Sequence, residues 1–263
     1  MGVNRDPGYE KFKQRFYQKS GLDLNDYKPA QMIRRINNLM LRIGAKGYDQ
    51  LIEMMNTDAK LYKEFLDYLT INVTEFFRTP EKFDELRDKV FPELLQSAGG
   101  RLQIWSAGCS TGAEPYSMAM ILDSLTPQTR HRILATDLDV EMLAKAKAGI
   151  YGPIEMKNVS REMLAKYFTV QEFRYFLRED IKNRVEFKQH NLLLDKYETG
   201  FNLILCRNVV IYFTEEAKDQ LYRRFYKALK PGGVLFVGGT ECILNYRDVG
   251  FEHYLPFFYR KPK

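Results

Sequence analysis

The sequence is poor in the residues that staple or metallate small proteins: of 263 residues only three are cysteine (Cys109, Cys206 and Cys242) and three are histidine. Three thiols, odd in number and far apart, suit neither a disulfide framework nor a zinc site. They predict a reducing compartment, so a cytoplasmic location and no bound metal are the expectations. Long apolar runs are missing too. Stretches such as 209–213 fall far below the roughly 18 residues a membrane span needs, so no membrane insertion is expected. The opening MGVNRDPGYEKFK has no apolar core of the kind a secretion signal carries. With 45% hydrophobic and 28% charged residues, and neither repeats nor low-complexity segments, the composition excludes disordered, collagenous and coiled-coil architectures. What is in excess is positive charge. The 40 Lys and Arg exceed the 34 Asp and Glu to give +6, which fixes the sign of a partner and leaves nucleic acid, an acidic membrane surface and an acidic protein open.

Over the first 80 residues apolar side chains recur at helical spacing. Tyr9, Phe12 and Phe16 stop before Gly21; Ile33, Ile36, Met40 and Ile43 stop at Gly44; Tyr48, Leu51, Ile52 and Met55, then Leu61, Phe65, Leu66 and Leu69, follow. Residues 1–78 are expected to form a helical N-terminal domain. Thr79 as N-cap, Pro80 at the first helical position and Glu81 in the first turn predict a linker helix over 79–98. From Arg101 the period changes, with strands predicted at 102–106, 132–136, 185–188, 201–206 and 234–237 and helices at 116–125, 140–148 and about 215–229. Residues 257–260 suit a final edge strand. Strand alternating with helix implies an α/β fold with a parallel sheet and right-handed crossovers, here over 99–263. Between about 150 and 184 the rhythm breaks into aromatic and charged residues, which predicts a small inserted subdomain of a helix and a few antiparallel strands.

The loop after the first strand, IWSAGCSTGAEPYSMAM (104–120), sets Gly108 and Gly112 between strand and helix. Such a loop brings backbone N–H groups to a ligand at the carboxyl edge of the sheet. Residues 108–112 also fit GxSxG, the nucleophile elbow of α/β hydrolases. Against that reading, no HGGG-like oxyanion sequence precedes the loop, the late histidine His253 sits among aromatics, and Asp137 ends the next strand in ILATD (133–137). A carboxylate there is where a Rossmann-like fold holds ribose hydroxyls, accepting two at once. Glu114, followed by Pro115, would repel a pyrophosphate but suits a ligand bearing an amino group. A nucleoside joined to an amino acid meets both demands. S-adenosylmethionine is such a molecule, and a methyltransferase is the leading reading.

Five strings in order, NVTEFFR (72–78), WSAGCSTGAEPYS (105–117), ATDLD (135–139), HNLL (190–193) and CRNVVIYF (206–213), resemble the CheR family of chemotaxis receptor methyltransferases, and FVGGTE (236–241) fits as well. The resemblance implies a Rossmann-like class I methyltransferase domain with an N-terminal all-helical domain and a small inserted subdomain. It implies methyl transfer from S-adenosylmethionine to glutamate side chains of methyl-accepting chemotaxis receptors, leaving S-adenosylhomocysteine. Carried over, the cofactor contacts fall on Asn72, Thr74, Arg78, Gly108 and Glu114, with Asp137 as the ribose acid. Asn191 and Leu192 match the adenine side, Arg207 and Asn208 the pair after the fourth strand, and Tyr212 a tyrosine near the reacting methyl. Arg78, expected in the helical domain, and Tyr212 are the candidate catalytic residues. Asn191 as a turn cap and Tyr212 as core beside Phe213 are the plainer alternatives. A glutamate carboxylate, with a reference pKa of about 4.3, is already ionised at neutral pH, so no general base is required.

Residues 28–48 contain Lys28, Arg34, Arg35, Arg42 and Lys46 and no acid. Arg35 and Arg42 lie seven apart on one helix and are expected to share a solvent face with Asn38. Arg34, Arg35 and Arg42 are the candidate docking residues for the receptor, whose methylation region is by resemblance a cytoplasmic helical bundle with glutamate-rich faces. A monomer is expected. Some family members dock a receptor peptide through a glycine-containing loop in the insertion, but 167–185 holds no glycine. The rivals are a nucleic-acid methyltransferase, for which no RNA-binding motif is evident, and a non-catalytic binding module of the same fold.

Overall fold

The computed structural model describes residues 6–70 and 74–263, apart from the side chains of Asp67 and Thr70. The chain divides into two compact units: a helical unit of Met1–Ile71 with Tyr212–Asp219, and a sheet unit of Asn72–Ile211 with Gln220–Lys263.

The helical unit contains α1 (Pro7–Ser20), α2 (Pro29–Ile43), α3 (Tyr48–Thr57) and α4 (Ala59–Thr70). Asp6 caps α1 by accepting the Gly8 amide at 2.8 Å, and Gly21, at φ 70°, ends it in the left-handed region. Phe12, Phe16 and Phe65 are fully buried, and Phe65 meets the other two edge-on. The buried seam of α2 is Met32, Ile36 and Leu39. Ile33, Met40 and Ile43 are only half-buried, so the helix is turned from the face that their spacing predicted. Tyr212–Asp219 joins this unit because Tyr27 bridges Phe213 with rings 5.1 Å apart, Lys28 donates its amide to the Tyr212 carbonyl at 2.9 Å, and Thr214 donates to Asp26 at 2.8 Å.

The sheet unit opens with α5 (Pro80–Glu85), a wide turn over Leu86–Val90 and α6 (Phe91–Ser97). Phe91 donates its amide to Leu86, five residues back. Pro92 has no amide and would crowd the carbonyl of residue 88 in a regular helix, and the widened turn accommodates it. Thr79 does not cap α5 through its side chain: its φ of 66° turns the hydroxyl elsewhere. Next come β1 (Gln103–Ala107), α7 (Ala113–Leu125), β2 (Arg132–Asp137), α8 (Val140–Ala148), β3 (Ile150–Tyr151), α9 (Arg161–Tyr167), β4 (Phe168–Gln171), β5 (Arg174–Leu177) and α10 (Glu179–Lys182). The chain continues through β6 (Val185–Gln189), β7 (Phe201–Cys206), α11 (Glu215–Ala228), β8 (Leu229–Val237), α12 (Tyr246–Val249), β9 (Glu252–Leu255) and β10 (Phe258–Arg260).

Among the described residues the main sheet has seven strands in the order β6-β2-β1-β7-β8-β10-β9. Pairings from β6 to β8 are parallel, and β10 runs antiparallel to both its neighbours. All six residues of β7 are buried, as expected of a parallel strand covered on both faces. The strand order reverses between β1 and β7, so the loops leaving their carboxyl ends splay apart and open a crevice there. The inserted segment forms a second sheet, β3-β5-β4. Its hairpin turns on Glu172 and Phe173, at φ 45° and 61°. β8 starts at Leu229, earlier than predicted, because the stretch through Gly232, at φ 76°, and Gly233 pairs with the end of the chain: Gly232 donates to Lys261 at 2.9 Å and Lys261 to Gly233 at 2.8 Å.

Candidate functional site

The loop between β1 and α7 is held against the end of β2, where Gly108 and Cys109 both donate their amides to the Thr136 carbonyl, at 2.8 and 2.9 Å. Gly108, at φ 81°, has no room for a side chain, since a Cβ would stand 2.5 Å from a Val209 methyl. Gly112, at φ 84°, would meet the Ala146 methyl at 2.9 Å. Between them Ser110, at φ 48°, aims its amide at Asp137 Oδ2, 2.7 Å away. Asp137 Oδ1 accepts the Asp139 amide at 3.0 Å. Burial pushes the Asp137 carboxyl above its ordinary pKa, and these two amides work against that shift. Each oxygen keeps a second lone pair for a hydroxyl. The Ser110 hydroxyl is buried with no hydrogen-bond partner among the described residues.

Glu114, in the first turn of α7, is fixed by two neighbours: the Ser106 hydroxyl donates to Oε1 at 2.8 Å, and Arg207 reaches Oε2 at 3.3 Å. Arg207 is only 7% exposed and its guanidinium lies 4.5 Å from the Phe236 ring centre and 5.3 Å from that of Phe83. It also donates to the Arg78 carbonyl at 2.7 Å and to the Thr79 hydroxyl at 3.3 Å. Burial lowers the Arg207 pKa and Glu114 opposes that shift. One guanidinium therefore ties the 74–79 segment, the glycine loop's helix and the end of β7 into one scaffold.

Arg78 belongs to the sheet unit, contrary to the expectation that it comes from the helical domain. The reason is the pair before it: Phe76 packs edge-on against Tyr151 and Phe168, and Phe77 is buried with its amide donating to Ser117 at 3.0 Å. Thr74 is half-buried in the same segment, and Asn72 lies outside the described residues. Asn191 caps a turn, its side-chain oxygen accepting the Leu193 amide at 2.9 Å, and Leu192 is buried beside it. Asn208 sits at φ 60° directly after Arg207. Tyr212 groups with the helical unit, not with the 99–263 segment that contains it in sequence. Of the basic residues on α2, Arg34 is exposed. Arg35 packs on the Tyr68 ring and donates to the Tyr68 carbonyl, and Arg42 pairs with Glu64 at 2.6 Å. Arg35 and Arg42 thus form a row against α4, and the open stripe is Gln31, Arg34, Asn38 and Leu41.

Sequence reasoning missed Ser106 and Glu241. Ser106 left no signal beyond its place in β1. Glu241, in FVGGTE, lies just past the end of β8 after two glycines and Thr240.

The hydrolase reading fails on geometry. The Ser110 hydroxyl donates to no imidazole, having no hydrogen-bond partner among the described residues, His131 is engaged by Leu102 and Thr126, and His253 packs on Tyr246 and Tyr259. Among the described residues no cluster of His, Cys, Asp and Glu could hold a metal, and no helix is long and apolar enough to cross a membrane. The residues present do fit S-adenosylmethionine: a glycine cradle closed to any Cβ, an orphaned hydroxyl at Ser110, a strand-end acid with spare lone pairs for a ribose, and a second acid for an amino group.

Comparison with known proteins agrees. A family model described as CheR methyltransferase, SAM binding domain, matches residues 72–253, and one described as CheR methyltransferase, all-alpha domain, matches 7–70. The chain is 41% identical to the chemotaxis protein methyltransferase of Listeria monocytogenes over 92% of both chains. It is 37% identical to chemotaxis protein methyltransferase 1 of Pseudomonas aeruginosa, covering 91% of this chain and 92% of that one. The Escherichia coli chemotaxis protein methyltransferase is 35% identical, over 90% of this chain and 84% of its own.

Proposed function

Since the chain belongs to the CheR methyltransferase family in both of its parts, we propose that it methylates glutamate side chains of methyl-accepting chemotaxis receptors, as a monomer acting on their cytoplasmic helical bundle. The observation that carries this reading is the match of both family models, in register with an acid pair at the carboxyl edge of the sheet. S-adenosylmethionine supplies an electrophilic methyl group and leaves as S-adenosylhomocysteine. Asp137 holds the ribose hydroxyls. Glu114, oriented by Arg207 and Ser106, takes the amino group. Thr74 supports that end, and Asn191 and Leu192 flank the adenine.

The substrate carboxylate is ionised at neutral pH, so what the chain must supply is alignment and exclusion of water. Arg78 does the aligning, because its planar fork matches two carboxylate oxygens. Tyr212 is the second candidate catalytic residue, on the resemblance to the family. Docking centres on the acid-free helix α2, chiefly on Arg34. A nucleic-acid substrate is not favoured.

The deciding experiment incubates the protein with methyl-labelled cofactor and a receptor cytoplasmic fragment and then raises the pH. Alkali-labile label on the receptor, the behaviour of a methyl ester, is the expected result. Alkali-stable label, or label on RNA instead, would refute the assignment.

A further inference from the structure

Glu241 is a carboxylate that the site described above does not use, and it is only 4% exposed. It follows β8 across Gly238, Gly239 and Thr240, and its side chain turns back onto the segment that leaves β7. Oε2 accepts the Asn208 amide at 2.6 Å and the Gly238 amide at 2.8 Å, and the nearby Val209 and Ile211 amides also act to lower the pKa of the same carboxyl. Two amides, one from the segment leaving β7 and one from the end of β8, are thereby gathered on one anion. Two features make that closure possible. Gly238 leaves the space, since a Cβ there would stand 2.5 Å from Glu241 Oε2 and 3.0 Å from the Asn208 nitrogen. Asn208 accepts a left-handed backbone, at φ 60°, which points its amide inward.

The arrangement is not one that stability alone would select. Burial raises the Glu241 pKa in spite of the amides, and its Oε1 is buried without a hydrogen-bond partner among the described residues. A carboxylate whose folded pKa is raised opposes folding at pH values above it, so at neutral pH the charge of Glu241 works against the folded state. Groups held at such a cost recur where geometry at a site depends on them.

We propose that Glu241 is a positioning residue for methyl transfer: an internal anion that folds 208–211 into the shape in which Asn208 and its neighbour Arg207 serve the site. The proposal rests on the methyltransferase reading above, and wild-type activity in the same assay tests that reading separately. An amide in place of the carboxylate keeps size and one acceptor but removes the charge that gathers these donors. Gly238→Ala, conversely, leaves the charge and displaces it.

The experiment compares wild type, Glu241→Gln and Gly238→Ala in receptor methylation at saturating cofactor, in thermal unfolding, and in calorimetric binding of S-adenosylhomocysteine. For Glu241→Gln the expected result is a kcat lower by about tenfold or more, a Tm unchanged or raised, and a dissociation constant within about threefold of wild type. Gly238→Ala is expected to show the same loss of kcat. Retained kcat in both variants overturns the proposal. So does a Tm of Glu241→Gln that falls along with activity, or fails to be measurable because the variant does not fold, which would make Glu241 a structural anchor only. A loss confined to cofactor affinity overturns it too. If wild type itself labels no receptor, it is the underlying methyltransferase reading that fails.

Discussion

Arg207 is the residue on which the arrangement turns. A guanidinium taken out of water needs partners, and here its two terminal nitrogens serve Glu114 on one side and the Arg78 carbonyl and Thr79 hydroxyl on the other, while Nε has no partner among the described residues. The consequence falls on Arg78, whose backbone is pinned while its side chain extends from the pinned point. That division of labour predicts that Arg78→Ala keeps the scaffold and loses the reaction. Methyl transfer at saturating cofactor should drop by roughly a hundredfold or more, with S-adenosylhomocysteine affinity changed by less than about tenfold. Equal activity of the variant in a saturating-cofactor assay would take the aligning role away from Arg78. Cys109 makes the complementary point. Its thiol lies within the glycine loop, but burial and the nearby acids push its pKa far up, so it is packing and not chemistry.

At the scale of elements, what was legible depended on whether one physical signal dominated. β1, β2 and β7 are buried on both faces and wrote themselves as short apolar runs between glycine loops and amphipathic helices. Asp137 and Glu114 were legible because strand ends and helix starts have fixed places in such folds. Helix α2 was harder: it carries two adjacent apolar stripes, and periodicity could not tell which one packs, so the orientation of Arg35 and Arg42 followed only from the packing against Tyr68. The allegiance of Arg78 was hidden for a similar reason, since an aromatic pair such as Phe76 and Phe77 can anchor to either side of a boundary. β9, with the sequence EHYL, lacks the alternation of a half-buried strand and is defined only by its pairing with β10. The corrected orientation of α2 gives a sharper test of docking. Arg34→Glu should raise the receptor KM by roughly tenfold, since it brings like charges together across the docking surface, and leave cofactor binding alone. A receptor KM unchanged in Arg34→Glu would remove α2 from the docking surface.

For the molecule as a whole the net charge of +6 acts over a distance set by salt. The proposed attraction between α2 and a glutamate-rich bundle would be screened beyond about 10 Å at 0.1 M ionic strength. Raising salt from about 0.05 to 0.5 M should therefore raise the receptor KM while kcat stays level, and the effect should shrink in Arg34→Glu. A KM independent of salt in wild type would show that docking is apolar. One architectural detail bears on how the protein is made. The helical unit is completed by Tyr212–Asp219, so a chain emerging from the ribosome cannot finish its first unit until about 140 further residues have followed. Closing so long a loop carries an entropic penalty that grows only with the logarithm of its length. During synthesis, then, Tyr27 waits for Phe213 with its face open, and the first unit to begin folding is not the first to be finished.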